Sequence, residues 1–272
     1  MNIMMRSAIL PAALTVALGV SGVLSMPAAA AAAEKNTVDL RYKVYIGGFS
    51  VADITVGMDL APANYDIAAK VETSGMVGQM FPWWMKAYSS GRIVGAGVMP
   101  VKAGQRNSWK GRERFIDMSF DDGIARIERI APKPDGDDRD RVPEALRTGD
   151  DTCSAQVPVF DGRRRYDLIA RPDGVEKLRP NGYTPYVGET VNCELRIHKK
   201  VGFRKTDKSG WNDGDRRARV WMGKAFADAP PVPVRLTLDT PLGALIAHLS
   251  AASHTVGGKK VKLGQKEASL AN

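Results

Sequence analysis

The segment DLRYKVYIGGFS, residues 39–50, decides the fold of this chain, because it holds one strand, a turn and the start of the next strand. Apolar and polar residues alternate through 39–46, which is the period of a strand with one buried face. Gly47-Gly48 is a typical two-residue hairpin turn. Residues 49–60 then have the composition of the returning strand.

The same pattern recurs along the rest of the chain. Further strands are predicted near 65–73, 87–95, 100–110, 112–120, 124–130, 155–160, 164–171, 190–198, 217–226, 232–238 and 242–251. About a dozen antiparallel strands exceed what a flat open sheet usually holds. We therefore predict an all-β protein with a long curled antiparallel sheet, a β-spiral or half-barrel, that wraps one or two short helices.

The N-terminus has the three parts of a secretory signal peptide. Arg6 supplies the positive charge, residues 9–24 are mostly apolar, and small residues end in an Ala-x-Ala site at 31–33. We expect export to the periplasm and cleavage after Ala33. A retained transmembrane anchor is the alternative.

The mature chain has the composition of a globular protein with a basic surface. About 240 residues remain after cleavage, enough for one core, and we assign 34–256 to a single all-β domain and 257–272 to a polar, flexible tail. The formal net charge of the full chain is +9. Such a protein can face anionic lipid, lipopolysaccharide phosphates or acidic polymers, and a solvated mixed surface explains the same charges. Nucleic acid is not an expected partner.

The chain has two cysteines, Cys153 and Cys193. In an oxidising compartment an isolated pair typically forms one structural disulfide. The three histidines are His198, His248 and His254, and the last two would share a face on an unbroken strand. A metal site needs at least a third ligand, so we expect no metal and no other cofactor.

Residues 75–86 interrupt the strand pattern with an apolar, Met- and Trp-rich segment. We predict a short helix over about 75–81 and an aromatic turn after it, both inside the curled sheet. Because Met and Trp adapt to apolar ligands, the segment holds our candidate ligand-binding residues. They are Met76, Met80, Phe81, Trp83, Trp84 and Met85. The alternative is that these side chains simply fill the core.

A dense charged block follows the turn signal Asp161-Gly162. Arg163 and Arg165 would share one face of the next strand and could contact a phosphate or carboxylate. The alternative is an ordinary hairpin in which Asp161 caps the turn. We expect no catalytic residues, because the chain has no Gly-x-Ser-x-Gly elbow and no nucleophile, base and orienting group at a telling spacing.

Several short motifs occur in a fixed order along the chain. They are Tyr42 to Phe49, Val159 to Leu168, Cys193 with the strand after it, Val201-Gly202-Phe203, Val220-Trp221, Pro231 to Arg235 and Pro241-Leu242-Gly243. Together they resemble an uncharacterised proteobacterial envelope family known as domain of unknown function 3108. The family commonly has an Asp-Pro-Leu-Ser/Thr-Ala-Leu helix before the first cysteine, whereas residues 142–152 here contain only Glu144-Ala145-Leu146.

The resemblance implies a fold and leaves two functions open. At the level of fold, the pattern is similar to envelope-integrity proteins with a curled sheet and to the LolA and LolB lipoprotein carriers. The first hypothesis is a periplasmic, non-enzymatic protein that binds a lipid or lipoprotein acyl chain in the sheet's cavity, with residues 75–86 as a gate. The second is a structural or interaction protein that supports envelope integrity through a protein or cell-wall partner. Both allow peripheral membrane contact, and we expect a monomer.

Overall fold

About three quarters of the described residues lie in strands of a single sheet. The computed structural model describes residues 36–94, 97–133, 147–148, 153–161, 164–202, 218–240 and 243–263. The strands are β1 (Asn36–Ile46), β2 (Phe49–Leu60), β3 (Asn64–Thr73), β4 (Trp83–Val94), β5 (Gly97–Trp109), β6 (Arg112–Asp121), β7 (Ile124–Ala131), β8 (Arg147–Thr148), β9 (Ala155–Phe160), β10 (Arg165–Leu178), β11 (Gly188–Val201), β12 (Ala218–Gly223), β13 (Val232–Thr240), β14 (Gly243–Val256) and β15 (Lys259–Lys262). One helix, α1 (Gly75–Met80), connects β3 to β4. The expected signal peptide and Arg163 lie outside the described residues.

The sheet is antiparallel and runs in two meanders that meet at β1. Its order is β7-β6-β5-β4-β3-β2-β1-β14-β13-β12-β11-β10-β9-β8, and β15 pairs with β14 beside this path. β1 therefore pairs with the following strand, β2, and with the late strand β14. The predicted fold class, an all-β protein with one long antiparallel sheet, is confirmed.

The alternation in β1 separates an apolar face of the sheet from a polar face. Val38, Leu40 and Val44 are buried, whereas Asp39 and Arg41 between them are exposed. Side chains of paired residues in neighbouring strands point to the same side. The apolar and polar faces defined by β1 can therefore be followed, through the strand register, from β14 to β7.

The main core lies between the apolar face of β1 and the second meander. Its buried members are Val38, Leu40, Tyr42, Leu178, Tyr186, Trp221, Phe226, Ala229, Val232, Val234, Leu249 and Ala252. The Tyr42 hydroxyl donates a hydrogen bond to the Pro233 carbonyl at 2.9 Å. Because each fully buried apolar side chain of this size contributes roughly 1.5–3 kcal/mol, this core holds the second meander over the apolar face.

Side chains bring the two ends of the sheet path together. Phe160 of β9 packs against Ile116 and Met118 of β6. The Gln105 side-chain amide of β5 donates to the Asp161 carbonyl at 3.3 Å. Within the described ranges, no backbone ladder joins the end strands β7 and β8. The sheet thus curls without closing.

The predicted disulfide is confirmed. Cys153 and Cys193 are bonded, with Cα atoms 5.3 Å apart. Both are buried in a small apolar cluster with Val220. The bond ties the start of the second meander to β11.

Three local expectations need correction. α1 forms where a helix was predicted, but none of its residues is buried, so it lies at one end of the sheet rather than inside it. The expected aromatic turn is the start of β4, which begins at Trp83. The expected flexible tail, residues 257–272, begins with an ordered part, since β15 pairs with β14 and Leu263 packs against the main core. No helix within the described ranges is long and apolar enough to cross a membrane.

Candidate functional site

A groove of about 1150 Å³ opens on the polar face of the sheet. Its lining residues come from β14 and β15 at one side and extend through β1–β6 to Arg129 of β7 at the other. The eight neighbouring strands from β14 to β7, laid flat, would span roughly 35 Å. One groove can be lined from both sides only because the sheet curves around it.

Positive charge dominates the groove. Seven cationic and three acidic side chains line it. The cationic residues are Arg41, Lys70, Lys86, Arg106, Arg129, Lys260 and Lys262, and the acidic ones are Asp39, Glu113 and Asp117. Seven cationic minus three acidic side chains leave the groove with a formal net charge of +4, which favours anions over cations.

Four of these cations form a row that the strand register sets across β1, β3, β4 and β5. Arg41 lies opposite Thr55, and Thr55 lies opposite Lys70. Lys70 in turn lies opposite Lys86, and Lys86 opposite Arg106. We call Arg41, Lys70, Lys86 and Arg106 the cationic row. Like charges placed directly opposite each other destabilise a sheet, so the row is unfavourable for folding alone.

Aromatic rings support the last two members of the cationic row. The Lys86 ammonium lies 5.7 Å from the ring centroid of Trp84. The Arg106 guanidinium lies 5.3 Å from the ring centroid of Phe115, and Arg129 approaches the same ring at 6.0 Å. Such contacts contribute roughly 0.5–1 kcal/mol at exposed sites. They hold the cations in place without neutralising them.

Carboxylates balance only part of the charge. Lys70 forms an ion pair with Glu72 at 2.6 Å. Asp39 accepts a hydrogen bond from Ser253 at 3.2 Å and lies 3.6 Å from Lys260. Within the described ranges, neither Lys86 nor Arg106 of the cationic row has a carboxylate partner.

Beside the cationic row, Asp117 is held by two partners. It accepts a hydrogen bond from the Tyr88 hydroxyl at 2.9 Å and pairs with Arg129 at 2.7 Å. Burial and the Asp117 carboxylate raise the pKa of Tyr88, which therefore remains a hydrogen-bond donor. Gly104 lies beneath Tyr88 and Asp117. A Cβ at this position would come within 2.7 Å of both side chains, so a larger residue would displace them.

The structure divides the six predicted ligand-binding residues among three places. Trp84 lines the groove. Trp83 and Met85 alternate with it in β4, so they point to the apolar face and are partly buried. The remaining three, Met76, Met80 and Phe81, are exposed at the end of the sheet. Of the six residues, Trp84 alone lines the cationic groove.

Of the two predicted anion-binding arginines, Arg165 is buried at the start of β10 and does not line the groove. Arg163 is outside the described residues. The Asp161 carboxylate accepts a hydrogen bond from the Arg164 backbone amide at 2.6 Å. Asp161 therefore caps this turn, as the alternative interpretation predicted.

His248 and His254 do not share a face, because β14 contains a bulge. The pairing with β1 shifts between Arg41 and Tyr42, so Ser250 is the extra residue. An extra residue reverses the alternation beyond it. His254 consequently contacts Asn36, at 2.5 Å, on the apolar side, whereas His248 stacks on Tyr183 at 5.2 Å between ring centroids. Among the described residues, no group of three His, Cys, Asp or Glu side chains could hold a metal ion.

Sequence reasoning missed the cationic row, although a partial signal exists. Arg41, Lys70 and Lys86 each lie between two apolar residues, whereas Arg106 lies between Gln105 and Asn107. The alternation assigns the first three to the polar face. It does not say that they lie opposite each other, which depends on the register of four strands.

Fold and groove together define an all-β protein with one curled antiparallel sheet and a cationic groove on its polar face. Residues 41–250 match the model of the family described as Protein of unknown function (DUF3108), and the chain belongs to that family. The predicted family resemblance is thereby confirmed. No curated protein matches the chain.

The chain is also similar to a solved structure from Brucella abortus. That structure is described as a beta-barrel-like protein of domain of unknown function DUF1849. The identity is 8%, the TM-score is 0.47, and the match covers 82% of this chain and 98% of that chain.

Proposed function

We propose that this chain is an exported, non-enzymatic binding protein of the cell envelope that holds an acidic amphiphile, such as an anionic lipid, in the groove. The cationic row carries the proposal. Lys70, Lys86 and Arg106 lie side by side on neighbouring strands, an arrangement that costs stability in the empty protein. A bound anion removes that cost and accepts charge-assisted hydrogen bonds from the same side chains.

The size and the aromatic content of the groove favour an amphiphile over a small anion. A volume of about 1150 Å³ exceeds that of many sites for drug-sized ligands, which span about 300–1,000 Å³. The rings of Trp84, Tyr88 and Phe115 offer apolar area beside the charges. An acidic headgroup on the cationic row and an apolar body against these rings would use both parts.

The side chains of the groove are better suited to ligand binding than to catalysis. The described residues that line it include no histidine and no cysteine. Arginine and lysine side chains bind anions but are poor proton acceptors near neutral pH. Export is supported by the N-terminal residues and by the disulfide, which suits an oxidising compartment.

Titration with short-chain lipids below their critical micelle concentration tests the proposal. Dihexanoyl phosphatidylglycerol should bind and raise the melting temperature, whereas dihexanoyl phosphatidylcholine, inorganic phosphate and an acidic polysaccharide should bind at least about tenfold more weakly. The variant Lys86→Gln/Arg106→Gln should lose about 100-fold in affinity, since a hydrogen bond to a charged group contributes roughly 1.5–3 kcal/mol.

Lys102→Gln is the matched control, because Lys102 lies on the polar face of β5 opposite Ser90 and Ser119 rather than opposite other cations. It should leave the affinity unchanged. Equal affinity for the two lipids, or equal losses in the double variant and the control, would contradict the proposal. If phosphate or the polysaccharide binds more tightly than the lipid, the ligand of the groove belongs to that class of anion and is not an amphiphile.

A further inference from the structure

Large apolar side chains are exposed at one end of the sheet. Phe49 is 75% exposed, Met76 74%, Met80 65% and Trp109 48%, and Phe81 is exposed beside them. We call these five residues the rim. Buried positions are available to such side chains throughout the fold, so a cluster of them at the surface points to a partner that covers it.

The register places the rim residues at the same end of neighbouring strands. Ala52 of β2 lies opposite Thr73 at the end of β3. Trp83 at the start of β4 lies opposite Trp109 at the end of β5. Phe49 precedes Ala52 by three residues and therefore projects beyond this level. The β1–β2 turn, α1 and the end of β5 thus form one edge about four strands wide, or roughly 15–20 Å.

α1 is anchored so that Met76 and Met80 face away from the sheet. The Ser74 backbone amide donates to the Val51 carbonyl at 3.0 Å, which ties the start of α1 to β2. Met76 and Met80 are four residues apart and share one helix face. No residue of α1 is buried, so this face has no partner within the described part of the chain.

Positive charge accompanies the apolar rim. The turn after Trp109 carries Lys110, and β6 continues with Arg112 and Arg114, all exposed. The full chain has a formal net charge of +9. Aromatic side chains beside Lys and Arg are typical of protein segments that lie in the interface of an anionic bilayer.

The rim is also continuous with the groove. Trp84 and Glu113, which line the groove, are the second residues of β4 and β6 and follow directly on the rim level. A bilayer in contact with the rim would therefore lie at that end of the groove. A protein partner explains the apolar residues but not this combination of projecting apolar tips, flanking cations and access to the groove.

We propose that the rim docks this protein on anionic membranes, with Phe49, Met76, Met80, Phe81 and Trp109 in the lipid interface and Lys110 and Arg112 at the headgroups. The inference goes beyond the proposed function, because it concerns a different surface and does not depend on what the groove binds.

Cosedimentation with vesicles tests this docking surface. The full chain without its expected signal peptide should bind vesicles of phosphatidylcholine and phosphatidylglycerol, and bind pure phosphatidylcholine at least about fivefold more weakly. Phe49→Ser/Met80→Ser should lower the partition coefficient at least about tenfold. The matched control is Val94→Ser/Ile124→Ser, because these residues are 57% and 68% exposed at the opposite end of the sheet. This control should change binding less than about twofold.

Two further measurements separate docking from groove binding. Brominated lipid should quench part of the tryptophan fluorescence, and Trp109→Phe should reduce that quenching. The rim variant should still bind dihexanoyl phosphatidylglycerol below its micelle concentration, and the groove variant Lys86→Gln/Arg106→Gln should still bind mixed vesicles. Absence of vesicle binding, or equal losses in the rim and control variants, would overturn the proposal. If the wild type forms a dimer and the rim variant alone is monomeric, the rim is instead the interface between two copies of the chain.

Discussion

Replacing Lys86 with glutamine removes the charge between Lys70 and Arg106 in the cationic row and should make the stability of the empty protein less sensitive to salt. Lys86 lies opposite Lys70 on β3 and opposite Arg106 on β5. Two unit charges about 7 Å apart in water repel by about 0.6 kcal/mol. Two such neighbours make the wild-type row unfavourable by about 1 kcal/mol at low salt, when the Debye length is about 30 Å.

Salt should remove this repulsion and leave the aromatic contact largely in place. At 1 M salt the Debye length is about 3 Å, so charges about 7 Å apart scarcely interact. The cation–π contact of Lys86 with Trp84, about 0.5 kcal/mol at an exposed site, is short-range and offsets part of the repulsion. Between 10 mM and 1 M NaCl, the wild type should therefore gain about 1 kcal/mol relative to Lys86→Gln, or about 2–4 °C in melting temperature.

Urea unfolding at both salt concentrations measures this difference, with Lys102→Gln as the control. Lys102 has serines as its cross-strand neighbours, so its removal should leave the salt response of the wild type unchanged. Equal salt responses in the two variants would refute the interpretation of the cationic row as a region of stored repulsion. A saturating acidic ligand should act like salt and stabilise the wild type more than Lys86→Gln.

Three further predictions concern the scaffold. Replacing Cys153 and Cys193 with serine should lower the free energy of unfolding by about 3–4 kcal/mol in the chain-entropy model, since the bond closes a loop with a sequence separation of 40; a denaturant titration that finds less than about 1 kcal/mol would contradict this. Burial, and then a nearby guanidinium, lower the pKa of His248, so the unfolded state takes up a proton near pH 6.5 before the folded state does, and stability should fall as the pH drops from 7 through this range. His248→Gln should flatten that part of the profile, and a profile identical to that of the wild type would refute the assignment. Gly104→Ala should cost about 1–3 kcal/mol through overpacking and raise the groove's ligand dissociation constant, and a variant as stable as the wild type in thermal unfolding would show that the floor of the groove can adjust.

Local pattern was enough for much of the fold. The alternation in residues 39–46 and the Gly47-Gly48 turn predict β1, its buried face and the hairpin to β2, because strand period and turn chemistry are properties of adjacent residues. The break at residues 75–80 likewise marks α1. The two cysteines required only the compartment to predict their pairing.

The errors occur where local pattern is ambiguous. Trp83, Trp84 and Met85 are consecutive apolar residues, so they show no alternation and were predicted as a turn. In the structure they begin β4, because β3 and β5 pair with them on both sides. The single extra residue at Ser250 gives no signal in the sequence, yet it reverses the faces of everything beyond it in β14.

The sequence by itself determined the class of fold, the polar and apolar faces of the strands, the family and the disulfide. Only the tertiary structure decided that Lys70, Lys86 and Arg106 form one row, and that the apolar residues of α1 lie on the rim instead of in a pocket. The physical reason is register. Side chains that are far apart in the chain become neighbours only when turns and bulges align their strands, and a shift of one residue would place them on the opposite face.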